Sequence, residues 1–151
     1  MSFTDFAENR LIDFLFRQQP LGIGGSAALG PSTLYVGLLS VAPTDSASGT
    51  EVTGGGYARV AVPCSLTSWA GTQGDGTTAI STGTSGKTSN NAPIVFPTPT
   101  ASWGTYVAYA VYSTPTGGQP IFYAPLAAAR TTNAGDDGPQ FRAASLTFTL
   151  S

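Results

Sequence analysis

The sequence contains no histidine. Histidine is the most common general base near neutral pH and a frequent metal ligand, so its absence excludes the Ser-His-acid arrangement and every site that needs an imidazole. The single cysteine, Cys64, excludes an internal disulfide and offers no metal-binding pair. We therefore expect a protein that is not an enzyme, with no catalytic residues, no metal site and no cofactor.

Charged side chains are also scarce. They make up 9% of the 151 residues, the net charge is −2, and the five arginines are scattered along the chain. Without a basic patch we expect no nucleic-acid partner. No apolar run approaches the ~20 residues of a membrane span, and Asp5, Glu8 and Asp13 interrupt the N-terminus before a signal-peptide core forms. We expect no membrane partner, and synthesis and assembly in a cytoplasm.

Glycine, proline and aromatic residues are the components that remain plentiful. The chain has 19 glycines, 11 prolines and 11% aromatics, a composition typical of β-structure with long neutral loops rather than of disorder. Seven or eight short strands and one helix predict an all-β fold, a single-domain β-sandwich of the jelly-roll or immunoglobulin-like type. Residues 1–19 form the helix and residues 33–151 the sandwich.

A β-hairpin is the most strongly patterned stretch. Its arms are Tyr106–Tyr112 and Gln119–Leu126, and Gly117 and Gly118 supply the positive φ angles of the turn. The first arm is apolar on both faces, which predicts a central strand covered on both sides. We expect a turn-rich loop at residues 130–140.

The N-terminal helix is predicted over residues 2–19. Ser2 and Asp5 resemble a capping box, with Thr4 as a rival N-cap. Either the apolar side of this helix packs in its own domain, or part of it docks onto another subunit; both remain open. The helical spacing places Phe3, Ala7, Leu11 and Phe14 on one apolar stripe. Four further residues widen it: Phe6, Ile12, Leu15 and Phe16.

The rest of the chain alternates strands and loops. We predict strands at Thr33–Val41 and at 57–64, where Pro63 indicates an edge position or a strand end. Residues 65–91 are rich in Gly, Ser and Thr and predict a long, mobile excursion or an arm that orders against a neighbour. Residues 141–150 predict a closing strand.

Several motifs resemble functional sites but lack their context. Ser85–Thr88 resembles a phosphate-binding loop without the strand and helix that it needs, and Gly22–Ala27 follows a helix rather than the strand of a dinucleotide site. Asp136 and Asp137 are adjacent, which suits a polar turn better than a pair of catalytic carboxylates or, with Asn133, a calcium site. The other loop carboxylates are Asp45, Glu51 and Asp75.

Read in order, the chain resembles a group of small tailed-bacteriophage virion proteins, often labelled phage tail fibre proteins. The resembling segments are Thr33–Leu39, Ala42–Thr44, Gly49–Val52, Gly54–Arg59, Phe96–Thr100, Trp103–Thr105, Thr116–Gly118, Phe122–Tyr123, Gly135–Asp136 and Leu146–Leu150. Residues 65–89 depart from the pattern, being longer and richer in Gly, Ser and Thr.

This resemblance implies a non-enzymatic structural protein on the exterior of the virion. We favour a capsid decoration or cement protein; the alternative is a tail-fibre or tail-tip module that contacts the host surface. The expected partners are copies of the chain itself, as a homotrimer, and the major capsid protein or tail proteins. A carbohydrate-binding module, with Trp69, Trp103 and the tyrosines as platforms, is a further hypothesis, although aromatic residues in strands more often pack in the core. The predicted interface residues are Phe3, Phe6, Leu11, Phe14, Tyr106 and Tyr112.

Overall fold

The structure is a computed structural model that describes residues 1–151. One α-helix, a 3₁₀ turn and nine strands follow one another along the chain, so the prediction of an all-β fold with one N-terminal α-helix is confirmed. The helix is α1 (Asp5–Arg17) and the 3₁₀ turn is Ile23–Gly25. The strands are β1 (Thr33–Val41), β2 (Thr50–Glu51), β3 (Val60–Pro63), β4 (Lys87–Ser89), β5 (Ile94–Val95), β6 (Gly104–Tyr112), β7 (Phe122–Thr132), β8 (Gln140–Phe141) and β9 (Thr147–Thr149).

The strands form one five-stranded sheet and two small sheets. In the large sheet the order is β2-β1-β6-β7, and β3 also pairs with β1. The small sheets pair β4 with β9 and β5 with β8. Pro63 is the last residue of β3, as predicted for a proline at a strand end. No helix combines the length and apolar character that crossing a bilayer requires.

The chain divides into two compact units, each assembled from separated segments. Unit 1 contains Met1–Thr33, Pro63–Ile94 and Phe141–Ser151, and unit 2 contains Leu34–Val62 and Val95–Gln140. The core of unit 1 includes Phe16, Trp69 and Phe148, whose ring centroids lie 5.0–5.9 Å apart. The core of unit 2 includes a cluster of Leu39, Ala108, Ala110 and Tyr112. The jelly-roll or immunoglobulin-like arrangement and the domain bounds stay predictions.

The hairpin of β6 and β7 confirms the most strongly patterned prediction. The two strands pair antiparallel, and Gly117 and Gly118 have φ angles of 62° and 72° in the turn. Residues 106–112 are almost all buried and β6 has a partner on either side, so it is a central strand. The predicted start of the loop at residue 130 is wrong, because β7 continues to Thr132. The register of the β6–β7 pair shifts between Tyr106, which pairs with Arg130, and Ala108, which pairs with Pro125.

Helix α1 is shorter than predicted and is capped by the rival residue. Thr4 is the N-cap, and its hydroxyl accepts a hydrogen bond from the Ala7 backbone N–H, so the Ser2 capping box is wrong. Gln18 ends the helix in the left-handed conformation with φ 53°. The buried face contains apolar Ile12 and Phe16 together with three ionisable residues: Glu8, Asp13 and Arg17.

Residues 65–91 are packed in unit 1, whereas the sequence predicts a long, mobile excursion. Trp69, Ser89 and Asn90 are at most 1% exposed, and β4 lies within the segment. The Thr88 hydroxyl donates to the Ala70 carbonyl at 2.7 Å. Side-chain and backbone hydrogen bonds therefore give order to a segment that has few apolar residues.

The strand predicted over residues 141–150 is divided into β8 and β9. Ala144 lies between them with φ 62°, and its backbone N–H donates to the Asn90 carbonyl at 2.7 Å. The Asn90 side chain accepts from the Leu146 backbone N–H at 2.9 Å. Asn90 therefore fixes the turn that interrupts the predicted strand. In and around β9, exposed Thr147 and Thr149 alternate with more buried Leu146 and Phe148, as the pattern predicts.

Candidate functional site

The six predicted interface residues do not share one environment. Phe3 and Phe6 are 49% and 58% exposed, and Leu11 and Phe14 are half-buried on α1. Tyr106 and Tyr112 are each 3% exposed and pack inside unit 2. Phe3 and Phe6 are therefore the members of the set that are most available to a partner. Their part in an interface stays a prediction.

A buried ion pair, here called the helix anchor, joins α1 to residues 65–91 through Asp13, Arg17 and Ser81. The Arg17 guanidinium lies 2.7 Å from Asp13 Oδ1, and the two side chains are 0% and 4% exposed. Ser81 donates both its backbone N–H and its hydroxyl to the Asp13 carboxylate, at 2.9 and 2.6 Å. Arg17 also donates to the carbonyls of Trp69 and Ala79 at 2.9 and 2.6 Å. Both buried charges are thus fully surrounded by partners.

A second arginine forms what we call the hairpin clamp in unit 2, consisting of Glu51, Tyr57 and Arg59. Arg59 makes a bidentate pair with the Glu51 carboxylate at 2.9 and 2.7 Å. Its Nη1 donates to the carbonyls of Thr114 and Gly117 at 2.8 and 2.9 Å. The guanidinium carbon also lies 3.4 Å from the centroid of the Tyr112 ring. The clamp therefore holds the β6–β7 turn against β2.

Tyr57 completes the hairpin clamp. Its hydroxyl donates to Glu51 Oε1 at 2.7 Å and accepts from the Leu38 backbone N–H at 3.0 Å. Burial raises the pKa of the Tyr57 phenol far above its usual range, and the Glu51 carboxylate adds to this rise. Burial alone would lower the pKa of Arg59, but the Glu51 carboxylate outweighs it and raises that pKa. The clamp is thus a neutral phenol and a guanidinium that share one carboxylate.

The Tyr123 groove is the concave surface of unit 2 between the Thr44–Ala47 turn and the start of β7. Its volume is about 550 Å³. The Tyr123 hydroxyl donates to Asp45 Oδ1 at 3.0 Å and so connects the two walls. This hydrogen bond to the carboxylate raises the pKa of Tyr123, so the phenol is neutral at physiological pH. The residues that line the Tyr123 groove are Thr44, Asp45, Ser46, Ala47, Gln119, Pro120, Ile121 and Tyr123.

A smaller cavity lies beside the exposed end of α1. It has a volume of about 370 Å³, and Phe6, Arg10 and Ile80 are among its lining residues. The Arg10 guanidinium carbon lies 5.5 Å from the centroid of the Phe6 ring. Phe6 and Ile80 are 58% and 52% exposed. We call Phe3, Phe6 and Ile80 the helix patch: Phe6 and Ile80 line the same cavity, and Phe3 is the exposed apolar side chain that precedes the N-cap of α1.

The tryptophans and the cysteine are not available to ligands. Trp69 is 0% and Trp103 4% exposed, so neither can serve as a sugar-stacking platform. The Trp103 indole N–H donates to the Gly55 carbonyl at 2.9 Å inside unit 2. Burial raises the pKa of the Cys64 thiol to about 11, which keeps it protonated and unreactive near neutral pH.

The loop carboxylates serve local structural purposes. Asp136 accepts from the Asn133 backbone N–H at 2.7 Å, as expected for a polar turn. Asp75 accepts from the Ser89 hydroxyl at 2.6 Å and lies 3.5 Å from the Lys87 ammonium; these two partners lower its pKa. No group of three or more His, Cys, Asp or Glu side chains is placed to hold a metal ion.

One comparison with known proteins identifies the family. Residues 2–149 match the model of the family described as podophage GP4 fiber I protein gp80. The chain belongs to this fibre family. No curated protein sequence matches the chain. Family membership confirms the resemblance to phage tail fibre proteins and makes the chain a structural component of the virion. The description of the family names a fibre, and this supports the tail-fibre alternative better than capsid decoration.

Sequence reasoning missed the charged residues that organise this fibre-family protein. Asp13 and Arg17 are four residues apart, the spacing of a helical ion pair, but that spacing usually predicts a solvent-exposed pair. The sequence places Glu51 in a loop and Arg59 in a strand, with no pattern that connects them to the hairpin turn. The turn carbonyls that Arg59 binds are 55 and 58 residues away, and Ser81 is 68 residues from Asp13, beyond the reach of local periodicity.

Proposed function

We propose that this chain is a subunit of a podophage tail fibre, a virion structural protein that performs no catalysis and contacts the bacterial surface. The match of residues 2–149 to the fibre I family carries the proposal. The concave surfaces of unit 2 agree with a binding rather than a catalytic protein. The Tyr123 groove holds one carboxylate, whereas glycoside hydrolysis ordinarily uses two.

The helix patch is the proposed attachment site to another virion protein. Thr4 caps α1, and Ile12, Phe16 and Arg17 are buried in unit 1, so the fold does not depend on the exposed phenylalanines. An exposed apolar patch of this kind favours contact with another protein. We propose that the partner is a tail protein of the particle, and that copies of the chain associate as a homotrimer, a symmetry that suits fibres.

Substitution of the patch tests this attachment. A phage lacking the chain would be supplied in trans with wild type, Phe3→Ser/Phe6→Ser, or Leu29→Ser as a control. Leu29 is 56% exposed in the same unit but lies outside the helix patch. The double variant should be missing from purified particles, while the Leu29→Ser control is incorporated normally. Normal incorporation of the double variant would remove the helix patch from the proposal.

Direct localisation tests the tail-fibre assignment. Cryo-electron microscopy of particles carrying a tagged chain should place the tag on the tail. A tag distributed over the shell would instead support capsid decoration and overturn the fibre proposal. Light scattering on the purified protein should give three times the 15.3 kDa of one chain. A monomer at every concentration would contradict the trimer.

A further inference from the structure

The walls of the Tyr123 groove are held in place by backbone structure. Thr44 and Ala47 exchange backbone hydrogen bonds at 2.8 and 3.3 Å, which closes the turn. Gly49 follows with φ 71°, and a Cβ there would lie 2.4 Å from the Val41 carbonyl oxygen, so only glycine fits. The opposite wall belongs to a paired strand, because the Ile121 backbone N–H donates to the Val111 carbonyl at 2.7 Å. The backbone of both walls is therefore held in place by hydrogen bonds before any ligand binds.

The lining combines exposed apolar surface with hydroxyl, amide and carboxylate groups. Tyr123 and Ile121 are 39% and 41% exposed. Asp45 is the one charged residue of the lining, and Gln119, Ser46 and Thr44 add neutral donors and acceptors. The Tyr123 hydroxyl donates a hydrogen bond to the Asp45 carboxylate, which fixes the tyrosine side chain at its polar end. An aromatic ring beside an orienting carboxylate suits a ligand that has both C–H faces and hydroxyl groups.

We propose that the Tyr123 groove binds an uncharged saccharide of the bacterial surface. The Tyr123 ring stacks on a sugar face, whose C–H groups carry partial positive charge and match the negative face of the ring. The free lone pairs of the Asp45 carboxylate accept hydrogen bonds from sugar hydroxyls, and Gln119 supplies a further amide. The proposal rests on the proposed fibre function, because that function brings the groove to a bacterial surface.

The charge of the lining discriminates against other ligand classes. Phosphorylated and acidic ligands are disfavoured, because the one charge at the groove is the negative charge of Asp45 and no arginine or lysine lines it. The same absence of cations disfavours nucleic acid. A volume of about 550 Å³ lies within the range of small-molecule sites and holds one or two sugar rings rather than a protein segment. The single carboxylate gives binding without cleavage.

Titration with purified surface polysaccharide tests the proposal. The probes are the O-polysaccharide and the capsular polysaccharide of the bacterium that the phage infects. Comparing them distinguishes the two surface polymers that could supply the saccharide. Isothermal titration with the full-length protein should show saturable binding to one of them. Tyr123→Ala should weaken that binding about tenfold or more, and Asp45→Asn about tenfold.

Two further variants separate recognition from folding and attachment. Tyr123→Phe keeps the ring but loses the hydrogen bond to Asp45, so its affinity should lie between that of wild type and that of Tyr123→Ala. Leu29→Ala removes an exposed apolar side chain in unit 1 outside the helix patch and should bind the polysaccharide as wild type does. In particles, Tyr123→Ala should be incorporated normally and yet slow adsorption to cells.

The outcomes distinguish this inference from the fibre proposal. Wild-type protein that binds neither polysaccharide would overturn the saccharide site, and the fibre proposal would stand if the chain were still found on the tail. Equal affinities of wild type, Tyr123→Ala and Asp45→Asn would place the binding elsewhere and also overturn this site. A chain found on the shell would remove the fibre proposal whatever the titration shows.

Discussion

The two units each contain one arginine that is bound to a carboxylate, and the two pairs differ in exposure. In the helix anchor of unit 1 the Arg17 and Asp13 side chains are 0% and 4% exposed. In the hairpin clamp of unit 2 the values for Arg59 and Glu51 are 4% and 26%. The Asp13 carboxylate is thus almost fully shielded from water, whereas the Glu51 carboxylate is already partly hydrated. The same kind of arginine–carboxylate pair should therefore contribute very different amounts to the stability of the two units.

The difference also reflects what each arginine holds. Arg17 binds a segment with few apolar residues of its own, so hydrogen bonds at the helix anchor replace the apolar packing that the segment lacks. Arg59 binds the turn of a hairpin whose strands already pair and pack. We infer that the anchor specifies the fold of unit 1 and that the clamp adjusts a turn in unit 2.

The largest effect should follow from Arg17→Met. This change leaves the Asp13 carboxylate buried with Ser81 alone, and the expected loss is about 3–5 kcal/mol in the free energy of unfolding. Urea unfolding measures the loss. Hydrogen exchange should show lost protection concentrated in residues 65–91.

Two controls sharpen that prediction. Arg10→Met, on the same helix but over the partly exposed Phe6 ring, should cost about 0.5–1 kcal/mol. The double variant Asp13→Leu/Arg17→Met should recover part of the loss, because no buried charge then lacks a partner. Equal losses for Arg17→Met and Arg10→Met would refute the role of the anchor.

An intermediate effect should follow from Arg59→Met. The variant loses the bidentate pair, two carbonyl hydrogen bonds and the contact with the Tyr112 ring, but Glu51 can gain water. The expected loss is about 2 kcal/mol, with faster hydrogen exchange at residues 113–118. Arg59→Lys should recover less than half of it, since an ammonium cannot reproduce the fork. A loss as large as that of Arg17→Met would show that exposure does not separate the two pairs.

The smallest effect is a pH dependence at Tyr57. Its pKa in the folded protein is raised above the ordinary value of 10.0, so the neutral phenol contributes stability that is complete below pH 10 and is lost as the pH rises further. Between pH 10 and pH 11 wild type should lose about 1 kcal/mol more per pH unit than Tyr57→Phe, which cannot ionise. Urea midpoints across pH 8–11 measure the two slopes. Parallel slopes would contradict this account of the clamp.

Strong local chemistry made the hairpin predictable from sequence. Gly117 and Gly118 supply the turn, and the β-branched and aromatic arms supply the strands. The extension of β7 through Ala127–Ala129 was missed, because alanine has low strand propensity and the register shifts there. At the helix, the presence and position of α1 were predictable, but its buried charged face was not.

Tertiary hydrogen bonds account for what sequence could not predict. The order of residues 65–91 depends on partners such as Asp13, which is 68 positions from Ser81. The Tyr123 groove joins a loop and a strand that are 78 positions apart. Hydrophobic periodicity reports which side chains avoid water within one element, and it contains no information on which distant polar groups meet.

The pairing of β4 with β9 has a consequence for biosynthesis. Asn90 finds its partner Leu146 56 positions further along the chain, and the unit that holds α1 also contains β9. Because Phe16 of α1 packs against Phe148 of β9, α1 stays incompletely covered until the much later β9 has been translated. Folding of unit 1 is consequently late and slow, because contacts between residues far apart in the sequence require a large loop to close.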